Sequence, residues 1–123
     1  MRALVIDDSR PMRMILGKFL RELGFEITEA GDGKQALDQL NPSQPPDLAL
    51  VDWNMPVMNG LEFVQAVRAN HQYDRVPLMM VTTETDMERV VAAIDAGANE
   101  YVMKPFTKEV LIAKLSLLDL IEE

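Results

Sequence analysis

Cysteine is absent from the 123 residues, and histidine occurs once. The first absence excludes disulfides and thiolate metal centres. Together the two leave no donor set that favours zinc. Basic residues are scarce as well: 12 Lys and Arg stand against 20 acids, for a formal charge of −8. A nucleic-acid-binding domain needs a basic face, so this balance argues against that class while saying little about fold. Long apolar runs are missing. The apolar stretch in "MRALVIDD" at the N-terminus is too short for a signal peptide, and no segment reaches the length of a membrane span. There is no repeat and no low-complexity tract. The one linker-like stretch, "NPSQPPD" from Asn41 to Asp47, is too short to separate domains. What is present is an apolar fraction of 48% in a length that suits one domain with one core, spanning residues 1–123. The lack of cysteine fits a cytoplasmic location.

Periodicity divides the chain into alternating strands and helices. Arg2 to Ile6 reads as a short buried strand. Ser9 is a candidate N-cap, Pro11 is tolerable in a first turn, and Met12, Leu16, Phe19, Leu20 and Leu23 follow at helical spacing until Gly24. Strands are expected over Phe25–Thr28, Asp47–Val51, Val76–Val81 and Glu100–Met103. Helices are expected over Lys34–Leu40 with Ala36, Leu37 and Leu40 inward, Leu61–Ala69 with Phe63, Val64 and Val67 inward, and Asp86–Ala96 closed by Gly97. A last helix runs from the Thr107 cap to about Leu120, with Val110, Leu111, Ala113, Leu117, Leu118 and Ile121 as core candidates. Five strands alternating with five helices imply right-handed crossovers and a parallel sheet covered on both faces, a doubly wound three-layer α/β sandwich. Five units are too few for a closed eight-stranded barrel.

Such sheets place their sites beyond the C-terminal ends of the strands. Asp7 and Asp8 follow the first strand, Asp52 the third, Thr82 the fourth and Lys104 the fifth. Three carboxylates, a hydroxyl and an ammonium should therefore share one sheet edge. Three acids together are costly unless a cation joins them. The ligands are all hard oxygens, so a small hard ion such as Mg2+ fits best, and magnesium in such sites usually works on phosphate. Lys104 and Thr82 are natural partners for phosphoryl oxygens. Asp52 precedes "WNMPVMNG", a turn ordered by Pro56 and Gly60, and its carboxylate is a competent phosphoryl acceptor.

The segments "VIDDS", "LVDWNMPVMNG", "MVTTET" and "YVMKPF" resemble the receiver domain of bacterial two-component response regulators, and the resemblance covers the whole chain. Among that family the chain is most similar to the stand-alone chemotaxis members. The resemblance implies a flavodoxin-like sheet of order 2-1-3-4-5 and a phosphorylation-dependent signalling switch, with no output domain and no conventional enzyme activity. By position, Asp52 resembles the phosphoacceptor. Asp8 resembles the direct magnesium ligand and Asp7 one acting largely through water, with the Asn54 backbone carbonyl completing the protein's share. Thr82 and Tyr101 resemble the switch pair, and Lys104 the phosphoryl contact, with a cis Lys104–Pro105 bond. Asn54, Thr83 and Glu84 would rim the phosphoryl pocket. Thr83 departs from the Ala or Gly usual there, which narrows access to Asp52. Asn54 and Glu84 would tune the lifetime of the phosphorylated form. The implied partners are a sensor histidine kinase as donor, a protein target on the face formed by helix 4, strand 5 and helix 5, and a possible phosphatase, with no nucleic acid and no membrane insertion. Val90, Tyr101 and Lys114 are the candidate target contacts.

Other classes fit less well. A phosphorelay intermediate or phosphate sink would use the same pocket. A haloacid dehalogenase-type phosphatase needs a second Asp two residues after the nucleophile, where this chain has Asn54. An FMN-binding flavodoxin needs a Ser/Thr/Gly-rich loop after the first strand, where this chain has "DDSRPM". His71 reads as a solvated loop residue and Trp53 as a shield for Asp52. The nine methionines read mostly as core fillers, and Glu22, Asp38 and Glu88 as solvated surface acids.

Overall fold

The computed structural model describes residues 1–83 and 87–121. The strands are β1 (Arg2–Ile6), β2 (Glu26–Ala30), β3 (Leu48–Val51), β4 (Leu78–Thr82) and β5 (Glu100–Met103). The helices are α1 (Arg10–Glu22), α2 (Gly33–Gln39), α3 (Gly60–Ala69), α4 (Met87–Ala96) and α5 (Lys108–Leu117). All strand pairings are parallel, in the order β2-β1-β3-β4-β5. This is the doubly wound architecture expected from the alternation.

Successive strand residues feed two separate cores, one on each face of the sheet. Leu4, Ile6, Ala49, Val51, Leu78 and Met80 pack with Ala36 of α2, Phe63, Val64 and Val67 of α3 and Ala93 of α4. Ala3, Val5, Leu48, Leu50, Met79 and Val81 pack on the opposite face with Leu16 and Leu20 of α1 and Leu111 and Leu115 of α5. Both faces are dry, so the central strands carry no polar alternation. Each large side chain so buried contributes about 1.5–3 kcal/mol relative to exposure.

Side-chain caps fix where helices start. Ser9 accepts from the Met12 amide at 3.3 Å, Asp32 from Gln35 at 2.8 Å and Thr107 from Val110 at 3.2 Å. Asn59 and Glu62 form a reciprocal capping box at the start of α3. Gly24 follows the end of α1 with φ +97°, a left-handed turn that glycine adopts without a Cβ penalty.

Several boundaries differ from the sequence reading. β2 runs from Glu26 to Ala30, not from Phe25 to Thr28, because its register with β1 extends to Ile6 opposite Ala30. Phe25 is buried in the turn before it. β4 starts at Leu78 rather than Val76: the Val76 amide closes a turn onto Tyr73, and Pro77 has no amide to give a ladder. A short 3-10 turn, His71–Tyr73, precedes it, and His71 pairs with Asp74 at 3.2 Å. The expected start of α4 at Asp86 lies outside the described residues.

α5 stops at Leu117, and its inward residues are Leu111 and Leu115, four apart on one face. Val110 and Leu117, expected inside, are exposed. Among the methionines, Met79 and Met80 fill the core, whereas Met1, Met14, Met87 and Met103 are exposed. Glu22 is exposed but is drawn to Lys108 of α5, which lowers its pKa.

Candidate functional site

Strand register brings the acids together. Ile6 of β1 lies opposite Val51 of β3, so the next residues, Asp7 and Asp52, emerge side by side. The Asp52 amide donates to the Ile6 carbonyl at 2.9 Å. On the other side, Thr82 of β4 lies opposite Met103 of β5, and the Lys104 amide donates to the Thr82 carbonyl at 2.8 Å. The fifth strand thus delivers Lys104 to the same edge. Its ammonium lies 2.8 Å from Asp7 Oδ2 and 3.6 Å from Asp52 Oδ1. The Lys104–Pro105 bond is cis.

Asp7, Asp8 and Asp52 each offer a carboxylate oxygen within 4.8 Å of the others. Asp7 and Asp52 are buried, and Asp8 faces solvent. Burial pushes the Asp52 carboxyl up to about 6. Lys104 opposes that shift, Asp7 and Asp8 add to it, and a hydrogen bond from the Trp53 backbone opposes it more weakly. A cluster of hard oxygens that resists its own charge suits a hard divalent cation, with Asp8 open to water and Asp7 and Asp52 closed behind it.

The remaining expected residues differ in exposure. Thr82 is buried at the end of β4. Val51 pairs with Met80, which sets Thr82 one residue beyond the level of Asp52 on the adjacent strand. Asn54 and Thr83 are exposed. Glu84 lies outside the described residues. Tyr101 is half-buried and packs against the core beneath α4, with the Lys114 ammonium 5.0 Å from its ring centre. Val90 is buried, which corrects its reading as a target contact. Val91 and Ile94 are the exposed apolar residues of that helix, beside Met87 at its start.

Several supporting contacts escaped the sequence reading. The Ser9 amide donates to Asp7 Oδ1 at 2.9 Å, an Asx-type turn that the Asp-x-Ser spacing could have signalled. Arg13 donates to the Asp7 carbonyl at 2.6 Å while pairing with Glu29 at 3.0 Å; nothing in its sequence context marks it. Gly60 packs so closely that a methyl group there would overlap the Asp52 carbonyl oxygen. Its amide donates to the Trp53 carbonyl at 2.9 Å. Trp53 is buried among the α2–α3–α4 core, and the Arg89 guanidinium of α4 sits 5.8 Å from its ring centre.

Known proteins resemble this chain in sequence and fold. The family profile of the response regulator receiver domain matches residues 3–116. The chain is 42% identical to the chemotaxis protein CheY1 of Helicobacter pylori over 118 residues, covering 95% of each. It is 46% identical to a CheY homologue of Campylobacter jejuni over 116 residues, covering 94% of this chain and 89% of the relative. The solved structure of the chemotaxis response regulator CheY4 of Vibrio cholerae superposes with a TM-score of 0.85 at 37% identity, covering 98% of each chain.

Proposed function

The chain belongs to the response regulator receiver family, and from that premise we propose that Asp52 accepts a phosphoryl group and that Lys104 and Thr82 receive its oxygens. Membership makes the protein a phosphorylation-dependent signalling switch rather than an enzyme, implies a histidine kinase as its partner, and, through the CheY relatives, places it in chemotaxis signalling. The observation that carries the site assignment is the closure of Asp7, Asp8 and Asp52 around one point, with Lys104 reaching in from β5.

The chemistry follows from those groups. A carboxyl with a pKa of about 6 is mostly ionised at neutral pH and able to attack. One Asp52 oxygen bonds to phosphorus as the donor's phosphorus–nitrogen bond breaks, and the imidazole left behind takes up a proton. Lys104 neutralises charge gathering on the phosphoryl oxygens. Asp7, Asp8, Asp52 and the Asn54 carbonyl would hold magnesium, which when bound balances the carboxylates and the incoming phosphate. Reversal by water would pass Asn54 and Thr83.

The switch is read out through Thr82 and Tyr101. A phosphoryl group that draws Thr82 inward vacates space for the half-buried Tyr101 ring, which changes the α4–β5–α5 face. That face exposes Met87, Val91, Ile94, Met103 and Val110, an apolar surface suited to a protein target. We assign residues 1–123 as one receiver acting in the cytoplasm. No helix among the described residues is long and apolar enough to cross a membrane.

Incubation with acetyl phosphate and magnesium followed by intact-mass measurement tests the assignment. One phosphoryl adduct is expected in the wild type, lost in Asp52→Asn and suppressed by chelator. Equal labelling of the Asn variant would overturn it.

A further inference from the structure

β1 ends at Ile6, so the Asp7 carbonyl is the first one beyond that strand and, being buried, needs a partner from elsewhere. Arg13 supplies it. From the fourth position of α1 its Nη1 donates back to that carbonyl at 2.6 Å, while its Nε donates to Glu29 of β2 at 3.0 Å. The Arg13 side chain is only 18% exposed, so this fork is largely shielded from water. With it, every polar atom of Asp7 is engaged. The Asp7 amide donates to the Ala30 carbonyl at 3.1 Å, and its two carboxylate oxygens accept from the Ser9 amide at 2.9 Å and the Lys104 ammonium at 2.8 Å. Asp8, the next residue, is exposed. We propose that Arg13 is a positioning residue for the divalent cation: by holding the Asp7 carbonyl it fixes the Asp7–Asp8 peptide and so aims the Asp8 carboxylate at the point it shares with Asp7 and Asp52.

This inference rests on Asp8 being a magnesium ligand. A peptide group is planar, so an anchored carbonyl oxygen sets the plane in which the Asp8 amide and Cα lie. Only the short Asp side chain then separates a fixed backbone from the ligating oxygen. Asp7 and Asp52 are held by burial, which leaves Asp8 as the ligand whose direction depends most on its backbone. Groups that orient a metal ligand govern affinity along with the ligand itself. Arginine suits this task because its planar guanidinium carries several donors in a fixed fork, so one side chain ties α1, β2 and the Asp7–Asp8 peptide together. Charge alone predicts the opposite sign. A cation near a cation site repels the incoming ion, so loss of Arg13 by that route would tighten magnesium binding, and Glu29 already offsets much of the repulsion. Positioning and charge are thus separated by the direction of one measured change.

Magnesium titration of the full chain, followed by calorimetry and by Trp53 fluorescence, tests the proposal. Arg13→Met should weaken magnesium binding about tenfold, the low end for partners that orient a metal ligand. Arg13→Lys, which keeps the charge and one donor group, should fall between Arg13→Met and the wild type. Arg10→Met removes the same charge from an exposed position at the start of the same helix, and should bind magnesium at least as tightly as the wild type. Labelling by acetyl phosphate adds a second readout. In Arg13→Met the half-saturating magnesium concentration should rise by the same factor, while the rate at saturating magnesium stays within about twofold of the wild type. Unchanged or tighter binding in Arg13→Met, an equal loss in Arg10→Met, or Arg13→Lys no better than Arg13→Met would overturn the proposal. So would a lowered urea midpoint in Arg13→Met with wild-type magnesium affinity, the mark of a contact that serves the fold alone. Failure of the wild type itself to bind magnesium would instead sink the metal site, and this inference with it.

Discussion

The Lys104 ammonium stands 2.8 Å from Asp7, its nearest acidic partner. Asp52 is further away, at 3.6 Å. In the resting protein the lysine's main electrostatic task is therefore to balance a carboxylate that is almost wholly buried. Removing one member of a buried pair leaves the other uncompensated.

Lys104→Met should accordingly lose about 2–4 kcal/mol of stability in chelator, slightly less than a fully buried pair because the lysine keeps some solvent contact. Magnesium should return part of the loss, since the ion supplies the missing positive charge. Urea unfolding with and without magnesium measures both; an unchanged midpoint in chelator would refute the expectation.

Asp52→Asn should stabilise the metal-free protein at neutral pH. The Asp52 pKa is raised from 3.8 to about 6 in the fold. Between those values the folded chain holds more protons than the unfolded one, so stability falls as pH rises through that window. Above the window the loss is complete, on the order of 3 kcal/mol for a shift of about two units. The Asn variant escapes it. Its advantage should be about 1–3 kcal/mol at pH 7 and should vanish below the unfolded-state pKa. A constant advantage from pH 3.5 to 7 would contradict the assigned cause.

Magnesium affinity should decline as pH drops through about 6, because the proton competes for Asp52. Trp53, the only tryptophan, adjoins that residue and reports occupancy by fluorescence. The titration should saturate in the wild type and flatten in Asp8→Ala. A response independent of pH would remove Asp52 from the metal shell.

Gly60→Ala should cost about 1–3 kcal/mol and weaken magnesium binding at the same time. The added methyl meets backbone of Asp52, which cannot swing aside, and lies 3.0 Å from the Met80 methyl. Gly31→Ala is the control, where the nearest group is the flexible end of Gln35 at 3.4 Å. Lost stability with normal magnesium affinity would show that the strain does not reach the carboxylate.

The sequence was most legible where a single physical rule decides the outcome. Apolar runs that alternate with amphipathic ones specified the parallel sheet, and the residue after each run, Asp7, Asp52, Thr82 or Lys104, marked its working edge. Phe63, Val64 and Val67 were readable as core because α3 has one clear inward stripe. α5 was not: it is apolar nearly all round, so Val110 and Leu117 could not be told from Leu115 by spacing alone. The ends of β2 and β4 depend on pairing with distant strands, which local propensity does not encode. Arg13, Arg89 and Arg68 act through partners up to 36 positions away, and a lone arginine on a helix gives no warning of such reach.

Arg68 fastens the end of α4. Its guanidinium donates to the carbonyls of Gly97 at 3.0 Å, Tyr73 at 2.8 Å and Val76 at 2.7 Å, and to the Asn99 side chain at 2.9 Å. Asn99 in turn receives the Leu78 amide at 2.8 Å. The carboxyl end of α4 is thereby riveted to the starts of β4 and β5. Towards its amino end α4 is held only by the inward face of Val90 and Ala93. α4 has 10 residues, a lever arm of about 15 Å. A tilt of about 10° around Gly97 would carry Met87 about 2.5 Å while Ala96 barely stirs, so displacement is amplified at the end that carries Arg89.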